Sequence, residues 1–249
     1  MRLTTYSALV LTLTAASACA PDSTLDPSDR PDPPPAGAFD LDLSFFDENE
    51  PAPGGATTSW GQALQTVAFA RSEMGILEVP EAMLRSATSA QGIRDGSSWR
   101  WPFDTSVDGD RYHGELRSSV VGNQYEWELI VNAPDHSPLL SNYLWALGFT
   151  PPANYEGLWR IADAEAGTDS LVAQLSWIRN PDNGINFAFS ASDSAGWRFD
   201  RSLAGNVLTY YVYNSPHRRI TWFPNGTGST WTIATMTACW NGDKQDIAC

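Results

Sequence analysis

Trp99-Arg100-Trp101-Pro102-Phe103-Asp104-Thr105-Ser106-Val107-Asp108-Gly109-Asp110-Arg111-Tyr112-His113-Gly114-Glu115-Leu116 decides the fold. Trp99, Trp101, Phe103, Thr105 and Val107 alternate with Arg100, Pro102, Asp104 and Ser106, the period of a strand buried on one face. Asp108-Gly109 is a two-residue hairpin signal, because both central positions of a type I′ turn need positive φ. Folding there pairs Thr105 with Tyr112, Phe103 with Gly114 and Trp101 with Leu116, and sets Asp104 opposite His113 and Ser106 opposite Arg111. A second turn at Gly122-Asn123 places Val120 opposite Tyr125, Leu116 opposite Leu129 and Arg117 opposite Glu128. Both registers agree on the apolar face, and a slip of one residue would destroy that agreement.

The alternation continues outward through Tyr143, Trp145, Leu147 and Phe149, then Trp159 and Ile161. Leu171, Ala173, Leu175 and Trp177 lead into a turn at Asn180-Pro181-Asp182-Asn183-Gly184. Ile185, Phe187 and Phe189 follow, then Trp197 and Phe199, and Val207, Thr209, Tyr211 and Tyr213. Ile220 and Trp222 precede Asn225-Gly226, and Trp231, Ile233, Thr235 and Thr237 end the series. About eleven strands joined by short turns predict an antiparallel up-and-down meander, curved or barrel-like.

Before it, Ser59-Trp60-Gly61-Gln62 has the form of a capping box. Trp60, Ala63, Leu64, Val67, Ala70 and Met74 then keep helical spacing. Pro80-Glu81 predicts a second, short helix presenting Met83, Leu84 and Ala87. Leu208-Thr209-Tyr210-Tyr211-Val212 is apolar on both faces, so the helices are expected to cover it from outside. The fold class is mainly β, with one or two N-terminal helices packed on the sheet.

The N-terminus carries an address. Arg2, an apolar run from Leu3 to Ala16 and the small residues Ala16-Ser17-Ala18 make a secretory signal peptide over residues 1–18. The run is too short to span a bilayer. The small residues end on Cys19, and Ala16-Ser17-Ala18-Cys19 resembles a bacterial lipobox, although Ala16 stands where Leu is usual. The resemblance implies lipidation of Cys19 and an exported lipoprotein held in the cell envelope, and Ala20 resembles an outer-membrane address. Eight prolines between Pro21 and Pro53, and nine carboxylates between Asp22 and Glu50 against Arg30 alone, predict a disordered tether over residues 19–57. Phe39, Leu41, Leu43, Phe45 and Phe46 interrupt it with a strand-like alternation, read either as a patch in the tether or as a short element docking on the domain, 58–249.

With Cys19 lipidated, Cys239 and Cys249 remain, most simply a disulfide stapling the tail to the last strand. The tail Cys239-Trp240-Asn241-Gly242-Asp243 to Gln245-Asp246-Ile247-Ala248-Cys249 resembles the ending of a group of uncharacterised bacterial secreted lipoproteins. Their endings run Cys-Trp-Asp to Gln-Asp-Ile-Asp-Cys, and this chain departs at Asn241 and Ala248. The Trp99 and Trp101 hairpin, Glu126-Trp127-Glu128 and, more loosely, Asn142-Tyr143-Leu144-Trp145 are also similar. The resemblance covers roughly residues 97–249 and implies fold and address, with no established activity.

The 249 residues carry 29 acidic against 15 basic side chains, which argues against a nucleic-acid partner. Chemistry-bearing motifs are weak. Asp104, Ser106, Asp108, Gly109 and Glu115 match positions of a calcium loop, yet the hairpin explains each without a metal. His113, His136 and His217 lack zinc-motif spacing. His113 opposite Asp104, the pair Glu126 and Glu128, and Asp163 with Glu165 each read as ordinary surface residues. Gly226-Thr227-Gly228 is a hairpin turn. No catalytic residue, metal or cofactor is implied.

The aromatic load, 11 Trp, 10 Phe and 8 Tyr, is the informative excess. The function expected is non-enzymatic binding of an apolar or amphipathic small molecule inside the β domain. Trp101, Phe103, Tyr112, Trp127, Trp145, Trp159 and Trp177 are its candidate lining. The rival is a structural or surface-display envelope protein with a solid core, and a hydrolase comes third.

Overall fold

A computed structural model describes residues 25–26, 28–39, 42–47, 58–164, 171–180, 185–191, 195–233 and 235–249. The signal peptide, Cys19, Glu165 and the turn residues 181–184 lie outside them. One antiparallel sheet holds fourteen strands in sequence order. They are β1 (Ile93–Asp95), β2 (Ser98–Val107), β3 (Asp110–Val121), β4 (Gln124–Ala133), β5 (Leu140–Thr150), β6 (Glu156–Ala162) and β7 (Leu171–Arg179). Then come β8 (Ile185–Ser190), β9 (Ala195–Ser202), β10 (Gly205–Val212), β11 (Ser215–Trp222), β12 (Gly228–Thr232), β13 (Thr235–Trp240) and β14 (Asp246–Ile247).

The count exceeds eleven for three reasons. β1 and β14 are short edge strands with little periodicity to betray them. The run read as one strand through Trp231, Ile233, Thr235 and Thr237 is two, because Thr232 pairs with Thr235 across a tight turn. That turn has no Gly, Pro or Asn to announce it, and it leaves Ile233 exposed. The sheet is open: β1 and β14 are its edges and do not pair with each other.

The first two hairpins form in the expected registers, from Thr105–Tyr112 through Trp101–Leu116 to Leu116–Leu129 and Val120–Tyr125. Asp108 and Gly109 both take positive φ, 52° and 94°, as a type I′ turn demands. In β5 the alternation breaks. The register against β4 shifts between Leu129 and Ile130, a β-bulge that buries both Trp145 and Ala146. Past it Gly148 and Thr150 face inward, while Leu147 and Phe149, expected inside, turn outward.

Helix α1 (Ser44–Asp47), α2 (Ser59–Met74) and α3 (Glu78–Ser89) precede the sheet, with 3-10 turns at Ala36–Ala38 and Gly75–Leu77. Trp60, Ala63, Val67, Ala70 and Met74 form the buried stripe of α2, and Met83, Leu84 and Ala87 that of α3. The cap of α2 is Thr58, one residue before the expected Ser59. Its hydroxyl accepts from the Gly61 amide at 3.0 Å, and the Ser59 amide donates instead to Asp246 Oδ1 at 2.8 Å.

These helices lie inside the curl of the sheet, not outside it. Phe69 of α2 packs edge-on against Trp197 and Tyr210, on the inner side of β9 and β10. In β10 Leu208 and Thr209 are buried, but Val207 and Tyr211 on the outer face are half-buried and Tyr211 lines an outer depression, so the outside cover expected there is not what the described helices provide. Helix α3 touches β2 and also the turn at Ala36–Ala38, which touches β8. In a flat sheet β2 and β8 would stand about 29 Å apart, at ~4.8 Å per strand. The sheet therefore wraps around its N-terminal segment.

That segment is where the tether reading fails for the described residues. Pro31, Pro34, Ala38, Phe39, Leu43 and Phe46 are buried, in a 3-10 turn and one turn of α-helix rather than a strand. Phe39 meets Trp159 at 5.6 Å, and Phe46 stacks on Trp60 at 5.3 Å. Proline and acid content suggests disorder, but these rings bury enough apolar surface to offset the ordering of so short a stretch. The docking alternative describes these residues.

The tail is stapled by the Cys239–Cys249 disulfide, with Cα atoms 5.3 Å apart. Within its loop the Lys244 ammonium donates to the Gly226 carbonyl at 3.0 Å. It also lies 4.5 Å from the Phe45 ring centre and 4.8 Å from that of Trp60. Desolvation lowers the Lys244 pKa below its ordinary value, and Asp243 offsets this in part.

Candidate functional site

The seven aromatic residues proposed as a ligand lining are all buried on the inner face. Four of them pair ring to ring, Trp101 with Trp127 at 5.6 Å and Tyr112 with Trp145 at 5.6 Å, while Trp159 meets Phe39 at 5.6 Å. Phe103 and Trp177 share that face, and the six-membered part of the Trp177 indole lies over Gly157 so closely that a Cβ there would stand 2.8 Å from it. Helix α3 and the N-terminal segment occupy the middle. Trp127 donates its indole N–H to Thr150 Oγ1 at 2.8 Å and Trp240 to the Gly226 carbonyl at 3.1 Å. The indole N–H groups of Trp60, Trp101, Trp145, Trp159, Trp177 and Trp197 are buried with no acceptor among the described residues. Of these, Trp60 meets Trp240 at 70°, Trp145 meets Tyr112 at 76° and Trp197 meets Phe69 at 62°, edge-to-face contacts of the kind in which a positive ring edge lies over a π face.

The concavity lies on the other side of the same strands. Two adjoining depressions of about 740 and 820 Å³ run over the outer face of β6 to β9 and share Arg160, Ser176, Ala188 and Arg198. Sheet register explains why they are contiguous: Phe149 pairs with Leu158, Leu158 with Ser176, Ser176 with Ala188 and Ala188 with Arg198. Small residues in the middle of this row make the floor. Phe149 and Leu158 supply an apolar wall, the two guanidinium groups supply positive charge, and Glu156 and Asp200 line the same depression with negative charge. Arg198 pairs with Asp200 at 3.0 Å, whereas Arg160 has no ion pair among the described residues. Such a groove can hold a molecule with an apolar body and an anionic head.

Sequence reading missed this site. Ser176, Ala188, Arg160 and Arg198 look like any solvent-facing positions, and only strand pairing sets them side by side. Phe149 was expected inside and reaches the groove because of the bulge in β5.

The other chemistry-bearing residues do not converge. The His136 ring packs near Tyr112 and Trp145, and its Nδ1 lies 2.9 Å from the Pro138 carbonyl. His113 is opposite Asp104 in register, but Asp104 pairs with Arg111 at 3.3 Å. Arg117 is opposite Glu128 as expected, yet its ion-pair partner is Glu115, which also receives Arg100 at 3.4 Å. Asp104 and Glu115, the ends of the calcium-loop pattern, are thus engaged with arginines. Among the described residues, no three His, Cys, Asp or Glu side chains are placed to hold a metal ion.

No protein-family model matches the chain, and no curated protein matches it either. The groove must be read from its own chemistry.

Proposed function

We propose that this is an exported, lipid-anchored envelope protein that binds, without catalysis, an amphipathic anionic small molecule in the outer groove. The observation that carries the reading is the row Phe149, Leu158, Ser176, Ala188 and Arg198, in which an apolar wall, a small floor and a guanidinium follow one another across five strands. The leader pattern and Cys19 support the address. The ring contacts on the inner face, Trp101 with Trp127, Tyr112 with Trp145 and Trp159 with Phe39, favour the groove over that face as the binding place.

The test is titration with a fluorescent fatty acid and with its methyl ester. Wild-type protein is expected to take up the acid and discriminate against the ester. Replacing both Arg160 and Arg198 by Glu removes charge-assisted hydrogen bonds, each worth about 1.5–3 kcal/mol, and should weaken uptake at least tenfold. A filled interior also suits a purely structural envelope protein. Failure of the wild type to bind either probe would favour that second reading.

A further inference from the structure

The stretch Arg30-Pro31-Asp32-Pro33-Pro34-Pro35 is extended by its own covalent chemistry. Arg30, Asp32, Pro33 and Pro34 each precede a proline, which disfavours the α region for them, and each proline fixes its own φ. Pro35 has φ −64° and ψ 131°, close to polyproline II. That helix repeats every three residues. Pro31 and Pro34, three apart, are accordingly buried, while Asp32 between them is exposed.

The β domain meets this helix with aromatic rings and one amide. Asn154, at φ 48° in the turn between β5 and β6, donates its side-chain amide to the carbonyls of Asp32 at 3.2 Å and Pro33 at 3.0 Å. The Arg30 guanidinium lies 5.9 Å over the Trp101 ring. Tyr125 is buried close by: its burial first, and then the Asp29 and Asp32 charges, hold its pKa above the ordinary value. Trp127 backs both rings, 5.6 Å from Trp101 and 6.1 Å from Tyr125. Aromatic-lined grooves are how preformed polyproline helices are bound. The carbonyls of such a helix have no internal partner, so they are free to accept the Asn154 amide.

The segment leaves this cleft one bond short. Asn154 Oδ1 is buried with no donor among the described residues. Prolines bring no N–H to it, and the Asp32 carboxylate only accepts. We propose that the cleft is a polyproline-II recognition site, occupied in cis by residues 30–35 and open to a second polypeptide carrying Arg-Pro-x-Pro-Pro with an uncharged hydrogen-bond donor at x. The carbonyls, the proline faces and the guanidinium are what the cleft touches, so any chain with that pattern presents the same groups. Its helix is ordered before binding, so little conformational entropy is lost in the exchange. The site is separate from the outer groove and from the lipid anchor, and its test uses neither.

The experiment uses the full chain and a fluorescein-labelled peptide of residues 30–36 carrying Asp32→Asn. Wild-type protein should bind it weakly, because the tethered cis segment competes at a high effective concentration. Pro31→Ser with Pro34→Ser in the protein vacates the cleft and should tighten peptide binding about tenfold, read by fluorescence anisotropy. Adding Asn154→Ala should remove most of that gain. No gain in the vacated protein, or a gain that Asn154→Ala leaves intact, overturns the site. Wild-type protein supplies a second reading that needs no variant to fold. An Asp-specific protease cuts before Asp32, and unlabelled peptide in excess, which contains no Asp, should speed that cut several-fold by displacing the segment. Mass spectrometry follows the cut. A rate that the peptide leaves unchanged overturns the exchange, as does an equal acceleration by a peptide that also carries Pro31→Ser and Pro34→Ser.

Discussion

The two faces of β6 to β9 carry opposite solutions on one backbone. Inward, Trp159, Leu175, Phe189 and Trp197 stand in register. One residue along, outward, stand Leu158, Ser176, Ala188 and Arg198. Large rings on the concave side demand something to fill the space they enclose, and α2, α3 and the segment around Phe39 and Phe46 provide it. Small side chains on the outer side leave a trough that nothing in the described chain fills. Side-chain volume, distributed with a period of two, thus decides that the inside is core and the outside is the candidate site.

The contrast is broken most severely at Trp60, which touches Phe45, Phe46 and Trp240. Trp60→Ala should cost about 3–5 kcal/mol, read as a lower guanidinium midpoint with the slope unchanged. A loss under about 1 kcal/mol would mean that the N-terminal segment is not part of the core. Next comes the tail, which holds Lys244 against Phe45 and Trp60 and Asp246 against the Ser59 amide of α2. Cys249→Ser should cost roughly 2–3 kcal/mol by loss of the short closed loop, and an unchanged midpoint in the same assay would show that the tail is held without its staple.

The outer row should behave differently. Ala188→Leu fills the trough at an exposed position, so stability should stay within about 0.5 kcal/mol while uptake of the fluorescent fatty acid falls. Loss of stability with uptake intact would place the binding elsewhere. The smallest effect concerns Lys244. Its folded pKa lies below 10.5, the ordinary value. Between those two values the unfolded chain still holds a proton that the folded chain has shed. Raising pH through that window therefore favours the folded wild type relative to Lys244→Met, and near neutral pH the difference between the two is flat. Thermal melts of both proteins across the alkaline range check this; a wild type that loses stability relative to Lys244→Met as pH rises would contradict it.

Legibility followed locality. Strands β2 to β4 were readable to the residue because each hairpin turn states its own register, and two turns agreed on one face. Strand β5 was readable only as far as its bulge, since an extra residue leaves composition and spacing outwardly unchanged while inverting the face of Leu147 and Phe149. The turn at Ile233 was silent because its residues are as fit for a strand as for a bend. Phe39 to Phe46 was ambiguous, because an aromatic cluster in a Pro-rich acidic stretch reveals its role only against the surface that receives it.

The sequence alone determined an antiparallel meander, the apolar face of its first hairpins and the buried stripes of α2 and α3. Each depends on short-range spacing, which the chain carries in itself. Only the tertiary structure decided that the helices and the N-terminal segment lie inside the curl, that the tryptophans are packing rather than lining, and that Arg160, Ser176, Ala188 and Arg198 share one groove. Those outcomes depend on how far fourteen strands curl and which rows they align, a property of the assembled sheet that no single strand encodes.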